Sequence, residues 1–117
     1  MSYMLLIVEP RGQRDARTEA EGRAVYGSMV RFSEELKRKG LLTTAQSLKS
    51  DSVGARVKLR GDSALVTDGP FTETKEMIGG FFLLTCETRE QALELARQCP
   101  AAQWATVEVR ELGPCFM

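Results

Sequence analysis

The sequence contains no histidine among its 117 residues. Histidine is the side chain whose unperturbed pKa lies nearest neutrality, so acid–base chemistry here would need an Asp, Glu or Lys whose pKa burial moves towards neutrality. A His-ligated haem and Ser-His-Asp or Cys-His nucleophile systems are excluded. Three widely spaced cysteines, Cys86, Cys99 and Cys115, form no C-x-x-C pair. This pattern favours neither disulfides nor zinc, and we expect no cofactor and no metal.

Excess charge and long apolar runs are absent as well. The 16 basic residues balance the 16 acidic residues, so no overall field attracts nucleic acid or an anionic membrane, and neither is expected as a partner. No stretch approaches the roughly 18 apolar residues of a membrane span, and residues 1–9 lack the basic start of a signal peptide. We therefore expect a cytoplasmic protein with a single domain, residues 1–117.

Hydrophobic periodicity and capping residues predict six strands and two helices. Capping-box spacings at Thr18 and Thr88 predict helices that end near Lys39, before Gly40, and at Pro100. Continuous apolar runs at residues 3–8 and 80–86 are typical of strands covered on both faces. The other strands are predicted at residues 41–48, at the half-exposed hairpin 55–60 and 64–66, and at 107–110.

The order of these elements predicts an α+β sandwich of the ferredoxin-like kind. It consists of two βαβ halves separated by a hairpin. Two helices cover only one face of such a sheet, yet residues 3–8 and 81–84 are apolar on both faces. A second copy of the chain is the simplest cover for the other face. We therefore expect a homodimer that packs sheet against sheet.

The most unusual segment is residues 68–76, with the sequence DGPFTETKE, followed by Gly79 and Gly80. Pro70 fixes its own φ and has no N–H, so Asp68 lacks the donor two residues on that an Asp in a turn often uses. Its carboxylate would then reach Phe71, cap a more distant group and brace the turn, or face solvent or a ligand.

The charges around this turn define a candidate polar pocket. If residues 71–76 are extended, Phe71, Glu73 and Lys75 share one face. The pocket would combine these residues with others from the last strand; its charged members are Asp68, Glu73, Lys75, Glu76, Glu108 and Arg110. The alternatives are solvated surface ion pairs and dimer contacts. Phe81, Phe82 and Trp104 are expected to pack in the core.

Several of these strings resemble the YCII-related proteins, in particular their DGPF branch. They are Met4-Leu5-Leu6-Ile7, Asp68-Gly69-Pro70-Phe71 with Glu73-Thr74-Lys75-Glu76, Gly80-Phe81, and Val107-Glu108-Val109-Arg110. The resemblance implies a dimeric α+β barrel whose two sheets face each other and leave clefts. It also implies a mostly uncharacterised bacterial family, some of whose members are encoded beside alternative sigma factors of the extracytoplasmic-function type.

The resemblance transfers few site residues. The His–Asp pair proposed for the wider group has no counterpart here without histidine, which leaves Asp68 as the carboxylate of the signature. Many relatives carry Glu where this chain has Gln46, and a neutral amide can still orient a ligand by hydrogen bonding. Gly69, Pro70, Phe71 and Gly80 are interpreted as turn or structural residues.

The leading hypothesis is a homodimer that binds a small anionic or aromatic ligand in the cleft between its sheets. Asp68, Lys75 and Arg110 would make the main polar contacts, and the remaining contacts would come from Gln46, Glu73, Glu76 and Glu108. A second hypothesis is a cofactor-free enzyme for isomerisation, lactone chemistry or dehalogenation of a small organic acid. In that enzyme Asp68 is the general base and Lys75 or Arg110 holds the substrate's charge. A third is a regulatory protein–protein adaptor linked to an alternative sigma factor.

Overall fold

The computed structural model describes residues 1–117 and consists of six strands, two α-helices and two short 3₁₀ turns. In chain order these are β1 (Ser2–Pro10), α1 (Glu19–Arg38), β2 (Leu42–Ser47), a 3₁₀ turn (Asp51–Val53), β3 (Ala55–Arg60), β4 (Ser63–Asp68), β5 (Glu76–Thr85), α2 (Arg89–Gln98), a 3₁₀ turn (Pro100–Gln103) and β6 (Thr106–Glu111).

Four strands form one antiparallel sheet in the order β2-β5-β1-β6. Each helix therefore connects two strands that lie on either side of a third strand, since β5 separates β1 from β2 and β1 separates β5 from β6. This split βαβ arrangement is the ferredoxin-like topology. The α+β sandwich expected from the sequence is confirmed.

Local capping chemistry determines where the helices begin and end. At α1 the Glu21 N–H donates to Thr18 Oγ1 at 3.1 Å and the Thr18 N–H donates to Glu21 Oε1 at 2.9 Å. These two bonds form the capping box. Gly40, with φ of 72°, follows the end of this helix in a conformation that favours glycine. Neither helix combines the length and apolar character that crossing a membrane requires.

The core lies between the helices and one face of the sheet. Alternate residues of β1, namely Tyr3, Leu5 and Ile7, are buried on this helix-side face. Met4 and Leu6 point the other way and are only half-buried. We call that second side the open face of the sheet. One chain thus covers a single face, and the second cover expected from the sequence is not supplied by the chain itself.

Every residue of the hairpin β3–β4 is exposed, so the core of the chain covers neither face of it. The expectation of a half-exposed strand is therefore wrong for one chain. Residues directly opposite each other share a face, and Val57 lies opposite Val66 while Leu59 lies opposite Ala64. One face of the hairpin is consequently an apolar strip.

Candidate functional site

Asp51, not Asp68, holds the turn of the DGPF segment. The Phe71 N–H donates to Asp51 Oδ2 at 3.4 Å, and Arg11 Nη1 donates to Asp51 Oδ1 at 3.0 Å while its Nη2 donates to Oδ2. Asp68 ends β4, is exposed and makes no side-chain hydrogen bond. Of the roles considered for Asp68, the structure supports exposure to solvent, and the brace for the turn comes from elsewhere in the chain.

Arg11 joins three segments at this turn. Its Nε donates to the Thr74 carbonyl at 2.8 Å and its Nη2 to Thr74 Oγ1 at 3.0 Å, while the Thr74 N–H donates to the Phe71 carbonyl at 3.0 Å. Residues 72–74 therefore turn, and the extended conformation considered for residues 71–76 is wrong. Hydrogen bonds from Arg11, and then from the Phe71 N–H, lower the pKa of Asp51 against the opposing effect of burial.

Glycine is required at position 69 because the backbone of the Asp51 segment passes directly against it. A Cβ built there would lie 2.9 Å from the Asp51 carbonyl carbon and would collide with its oxygen. The ring of Phe71 is buried beside this contact, with the Arg56 guanidinium 3.8 Å from the ring centroid. Arg56 Nη1 also donates to Glu73 Oε1 at 2.8 Å. These contacts connect the hairpin to the segments around Asp51 and Phe71.

The charged pocket expected from the sequence does not form within one chain. Arg110 donates to Glu108 at 3.0 Å on β6. Arg110 lies opposite Met4, whereas Glu76 lies opposite Pro10, six residues farther along β1. At a rise of about 3.3 Å per residue the two positions are roughly 20 Å apart. The last strand therefore contributes nothing to the neighbourhood of residues 68–76.

A cleft of about 870 Å³ lies between the N-terminal half of α1 and the helix-side face of the sheet. Its floor is formed by the ends of β1, β2 and β5, one wall by the loop 11–17, and its far end by Trp104. Of the residues expected to bind ligand or shape the turn, Gly80 and Gln46 line this cleft, but Gln46 lies opposite Phe81, so its side chain is on the open face of the sheet. Asp68, Glu73, Lys75, Glu108 and Arg110 do not line the cleft.

The floor of the cleft carries a buried ion pair. Glu9 is only 6% exposed, and Arg14 donates to both of its carboxylate oxygens, through Nε to Oε2 at 2.8 Å and through Nη2 to Oε1 at 2.7 Å. Arg14 Nη1 also donates to the Leu48 carbonyl at 2.9 Å. The fork of the guanidinium thus satisfies the buried carboxylate and ties the loop 11–17 to the end of β2.

A β-bulge makes room for this ion pair. Ile7 lies opposite Gly80 and Val8 opposite Ile78, which leaves Gly79 as the extra residue of β5. A Cβ on Gly79 would collide with Glu9 Oε1 and lie 2.9 Å from Glu9 Cδ. The two glycines lie inside β5, so the expectation that they open the strand is wrong; the bulge explains why they are needed.

Gln13 and Arg17 form the wall of the cleft, and both contact Trp104. Gln13 Nε2 donates to the Trp104 carbonyl at 2.7 Å, but the buried Gln13 Oε1 has no hydrogen-bond donor. The Arg17 guanidinium lies 5.9 Å from the Trp104 ring centroid. Trp104 is half-buried and packs on the core, as expected, but it also lines the cleft.

A second cavity of about 600 Å³ lies at the open face, where Phe71 and Glu76 are among its lining residues. Val8 and Ile78 line it as well, and both point away from the helices. Its polar lining includes Asp51 and Thr74, the two residues that Arg11 contacts, together with Arg56. No three His, Cys, Asp or Glu side chains are grouped as potential metal ligands anywhere in the structure.

Sequence reasoning missed Glu9, Gln13, Arg14 and Arg17. A signal for Glu9 was present, because period-two alternation puts it on the face of Tyr3, Leu5 and Ile7, where a carboxylate needs a partner. Gln13 had no such signal, since its contact with Trp104 joins residues 91 positions apart.

Comparisons with known proteins agree with this architecture. A curated relative, an uncharacterised protein of Rhizobium meliloti (strain 1021), is 29% identical over 115 residues, 97% of this chain and 93% of that protein. A solved structure, 5-chloro-2-hydroxyhydroquinone dehydrochlorinase (TftG) from Burkholderia phenoliruptrix AC1100 in complex with 2,5-dihydroxybenzoquinone, matches with a TM-score of 0.56 at 16% identity, over 97% of this chain and 94% of that one. At that identity the likeness shows the fold alone. The YCII-related domain matches residues 1–115, and the chain therefore belongs to the YCII-related family.

Proposed function

We propose that this protein is a homodimer that binds a small molecule in the cleft between α1 and the sheet. The observation that carries the proposal is a buried ion pair, Glu9 with Arg14, on the floor of an open cleft of about 870 Å³. Ligand pockets are typically about 300–1,000 Å³ and combine apolar walls with a few fixed polar groups. This cleft has both properties, and it lies on the helix side rather than between two sheets.

The ion pair is costly for a purely structural role. Removing two charges from water offsets much of their mutual attraction, so a buried pair often stabilises a fold no better than apolar residues of similar volume. The Glu9 carboxylate lies against the bulge at Gly79, where even a methyl group would displace it. A fixed charged group beside apolar surface is the arrangement that orients a small polar ligand.

The dimer is supported by the open face and the uncovered hairpin. Val57 and Leu59 are 67% and 70% exposed, and Val66, on the same face of the hairpin, is 59% exposed. Apolar residues grouped in this way mark surfaces that contact another protein. We expect light scattering at micromolar concentration to give the mass of two chains, and a monomer mass would contradict this part of the proposal.

A ligand screen with a variant that fills the cleft tests the binding site. A metabolite at 100 times its dissociation constant stabilises the fold by about 2.7 kcal/mol, which thermal-shift measurements detect. Gly22 lines the cleft, and a Cβ there meets nothing within 4 Å. Gly22→Leu should therefore fold, since leucine favours helix, yet lose the ligand's stabilisation.

The matched control is Ala24→Leu, which adds the same side chain at an exposed position of α1 that does not line the cleft. It should keep the full ligand response. A ligand that stabilises Gly22→Leu as strongly as Ala24→Leu binds elsewhere and contradicts the proposed site. Failure of every metabolite to stabilise the protein would favour the adaptor hypothesis, which a pull-down then tests.

A cofactor-free enzyme is the second candidate, and the buried Glu9 carboxylate beside the cleft favours it. The similar solved structure is named as a dehydrochlorinase, but this support is an analogy of fold only. The hypothesis with Asp68 as general base predicts that Asp68→Asn retains binding and loses turnover. If turnover instead disappears in Glu9→Gln and persists in Asp68→Asn, the catalytic carboxylate is Glu9 and the active site is the cleft beside α1.

A further inference from the structure

We infer that the cleft recognises a small aromatic carboxylate that carries a hydroxyl group, with Arg17 facing the carboxylate and Gln13 Oε1 accepting from the hydroxyl. This inference rests on the proposed binding function and specifies the chemistry of its ligand. Two groups in the wall are available to a ligand. The Arg17 guanidinium makes no salt bridge, and Gln13 Oε1 accepts no hydrogen bond. Both contact Trp104, so they stand on the same side of the cleft.

The orientation of the Gln13 amide follows from its surroundings. The Trp104 carbonyl can only accept a hydrogen bond, so the Gln13 group 2.7 Å from it must be the NH₂ donor. The amide oxygen is then directed elsewhere, and it is buried with no donor. A buried acceptor without a partner is rare and unfavourable in folded proteins. A ligand hydroxyl seated against the loop 11–17 supplies the missing donor as the side chain adjusts towards it.

Arg17 supplies the uncompensated charge. Three arginines and two glutamates line the cleft. Arg14 is paired with Glu9 and Arg23 with Glu19, whereas Arg17 has no carboxylate within salt-bridge distance. Among the lining residues three guanidinium groups therefore face two carboxylates, and Glu21 interacts with Arg17 electrostatically without forming a salt bridge. An anionic group is therefore favoured next to Arg17, and a guanidinium fork matches a carboxylate.

The apolar lining favours an aromatic body for the ligand. Trp104, Phe82 and Tyr26 line the cleft, and aromatic side chains stack on or pack edge-to-face against a flat ring. Trp104 contacts both polar groups of the wall, Gln13 through its carbonyl and Arg17 through its ring. A ring that rests on this side chain carries one substituent towards Arg17 and another towards Gln13.

Three matched probes test this recognition by isothermal titration calorimetry. The probe 4-hydroxybenzoate has both the anion and the donor, 4-hydroxybenzamide lacks the anion, and 4-methoxybenzoate lacks the donor. We expect 4-hydroxybenzoate to bind about tenfold or more tightly than the amide, and roughly fivefold more tightly than the methoxy compound, in line with hydrogen bonds to charged and neutral groups.

Two variants assign these preferences to residues. Arg17→Gln should abolish the preference for carboxylate over amide and keep that for hydroxyl over methoxy, whereas Gln13→Met should do the reverse. Arg31→Gln is the matched control, because Arg31 is exposed on α1 and does not line the cleft; it should retain both. A residue with a merely structural role would change the affinity for all probes together and leave their ratios intact.

The inference is overturned if the three probes bind equally, if Arg17→Gln keeps the carboxylate preference, or if no probe binds. The proposed function fails in a different way. It fails when a metabolite found by the thermal-shift screen stabilises Gly22→Leu as strongly as Ala24→Leu. A metabolite of another class that requires an unfilled cleft would overturn this inference while supporting the binding function.

Discussion

Gly79→Ala is the sharpest test of how the floor of the cleft is built. The backbone at Gly79 is not in the left-handed region, so an alanine there carries no conformational penalty. Its Cβ would collide with Glu9 Oε1 and lie 3.0 Å from Arg14 Nη2. The variant must therefore push the carboxylate out of its bidentate contact with Arg14, and its cost comes from that contact.

The magnitude follows from the burial of the two partners. Breaking a fully buried ion pair costs about 3–5 kcal/mol. Here the Arg14 side chain is 32% exposed and regains water, while the Glu9 side chain is 8% exposed and does not. We therefore expect Glu9→Ala, which leaves only the partly exposed Arg14, to lower the free energy of unfolding by about 2 kcal/mol, and Gly79→Ala, which leaves the displaced Glu9 carboxylate, to lower it by at least as much. For a domain of this size about 2 kcal/mol corresponds to a fall in Tm of roughly 8 °C.

A double-mutant cycle identifies the cause. In Glu9→Ala the space beside Gly79 is empty, so adding Gly79→Ala should cost nothing further, and the coupling energy should be at least about 2 kcal/mol. Gly113→Ala is the control, since a Cβ there meets nothing within 4 Å. The assay is urea denaturation at one fixed protein concentration. The effects of Glu9→Ala and Gly79→Ala on the free energy of unfolding could instead prove strictly additive, or Gly79→Ala could prove as stable as Gly113→Ala. Either result would refute the close contact between Gly79 and the Glu9–Arg14 ion pair.

Three further predictions follow from the turn and the thiols. Because the Arg11 hydrogen bond lowers the pKa of Asp51, this group's stabilisation is complete above about pH 4, its unfolded pKa, and is lost as pH falls through the folded value. Asp51→Asn should therefore be clearly less stable than wild type at pH 7, and the difference should narrow steadily as the pH falls below about 4 in denaturation measurements. Asp68→Asn should change the unfolding free energy by less than about 0.5 kcal/mol, because Asp68 is exposed and makes no hydrogen bond; a larger loss would restore it as the brace of the turn. A thiol reagent should label the exposed Cys115 within seconds and Cys99 only after unfolding, since burial raises the pKa of the Cys99 thiol to about 11; equal rates would contradict this.

Features encoded by neighbouring residues were predictable from the sequence. Thr18 with Glu21, and Gly40 after a basic turn, determined the ends of α1 to within a residue. The hairpin around Gly61 was also predicted, and the two βαβ halves were enough to predict the topology. In each case the chemistry lies within a few positions along the chain, where capping and turn rules apply.

Features that depend on distant contacts were not predictable. Asp51 precedes Phe71 by 20 positions, and Arg11 reaches Thr74 across 63 positions. The sequence marked the DGPF segment as unusual and supplied four charges there, but it could not show that a carboxylate from another loop would occupy the turn. The candidate site therefore lies at the loop 11–17 and not at the charged segment 68–76. The role of this loop depends on its contacts with Glu9 and with Trp104, and Trp104 lies 91 positions from Gln13 in the sequence.

The two cavities differ in what a dimer would do to them. The cavity of about 600 Å³ includes Val8 and Ile78 at the open face, so a second copy seated on that face would cover it. The cleft beside α1 is on the other side of the sheet and stays open to solvent in that arrangement. A ligand that exchanges with solution is therefore expected beside Glu9.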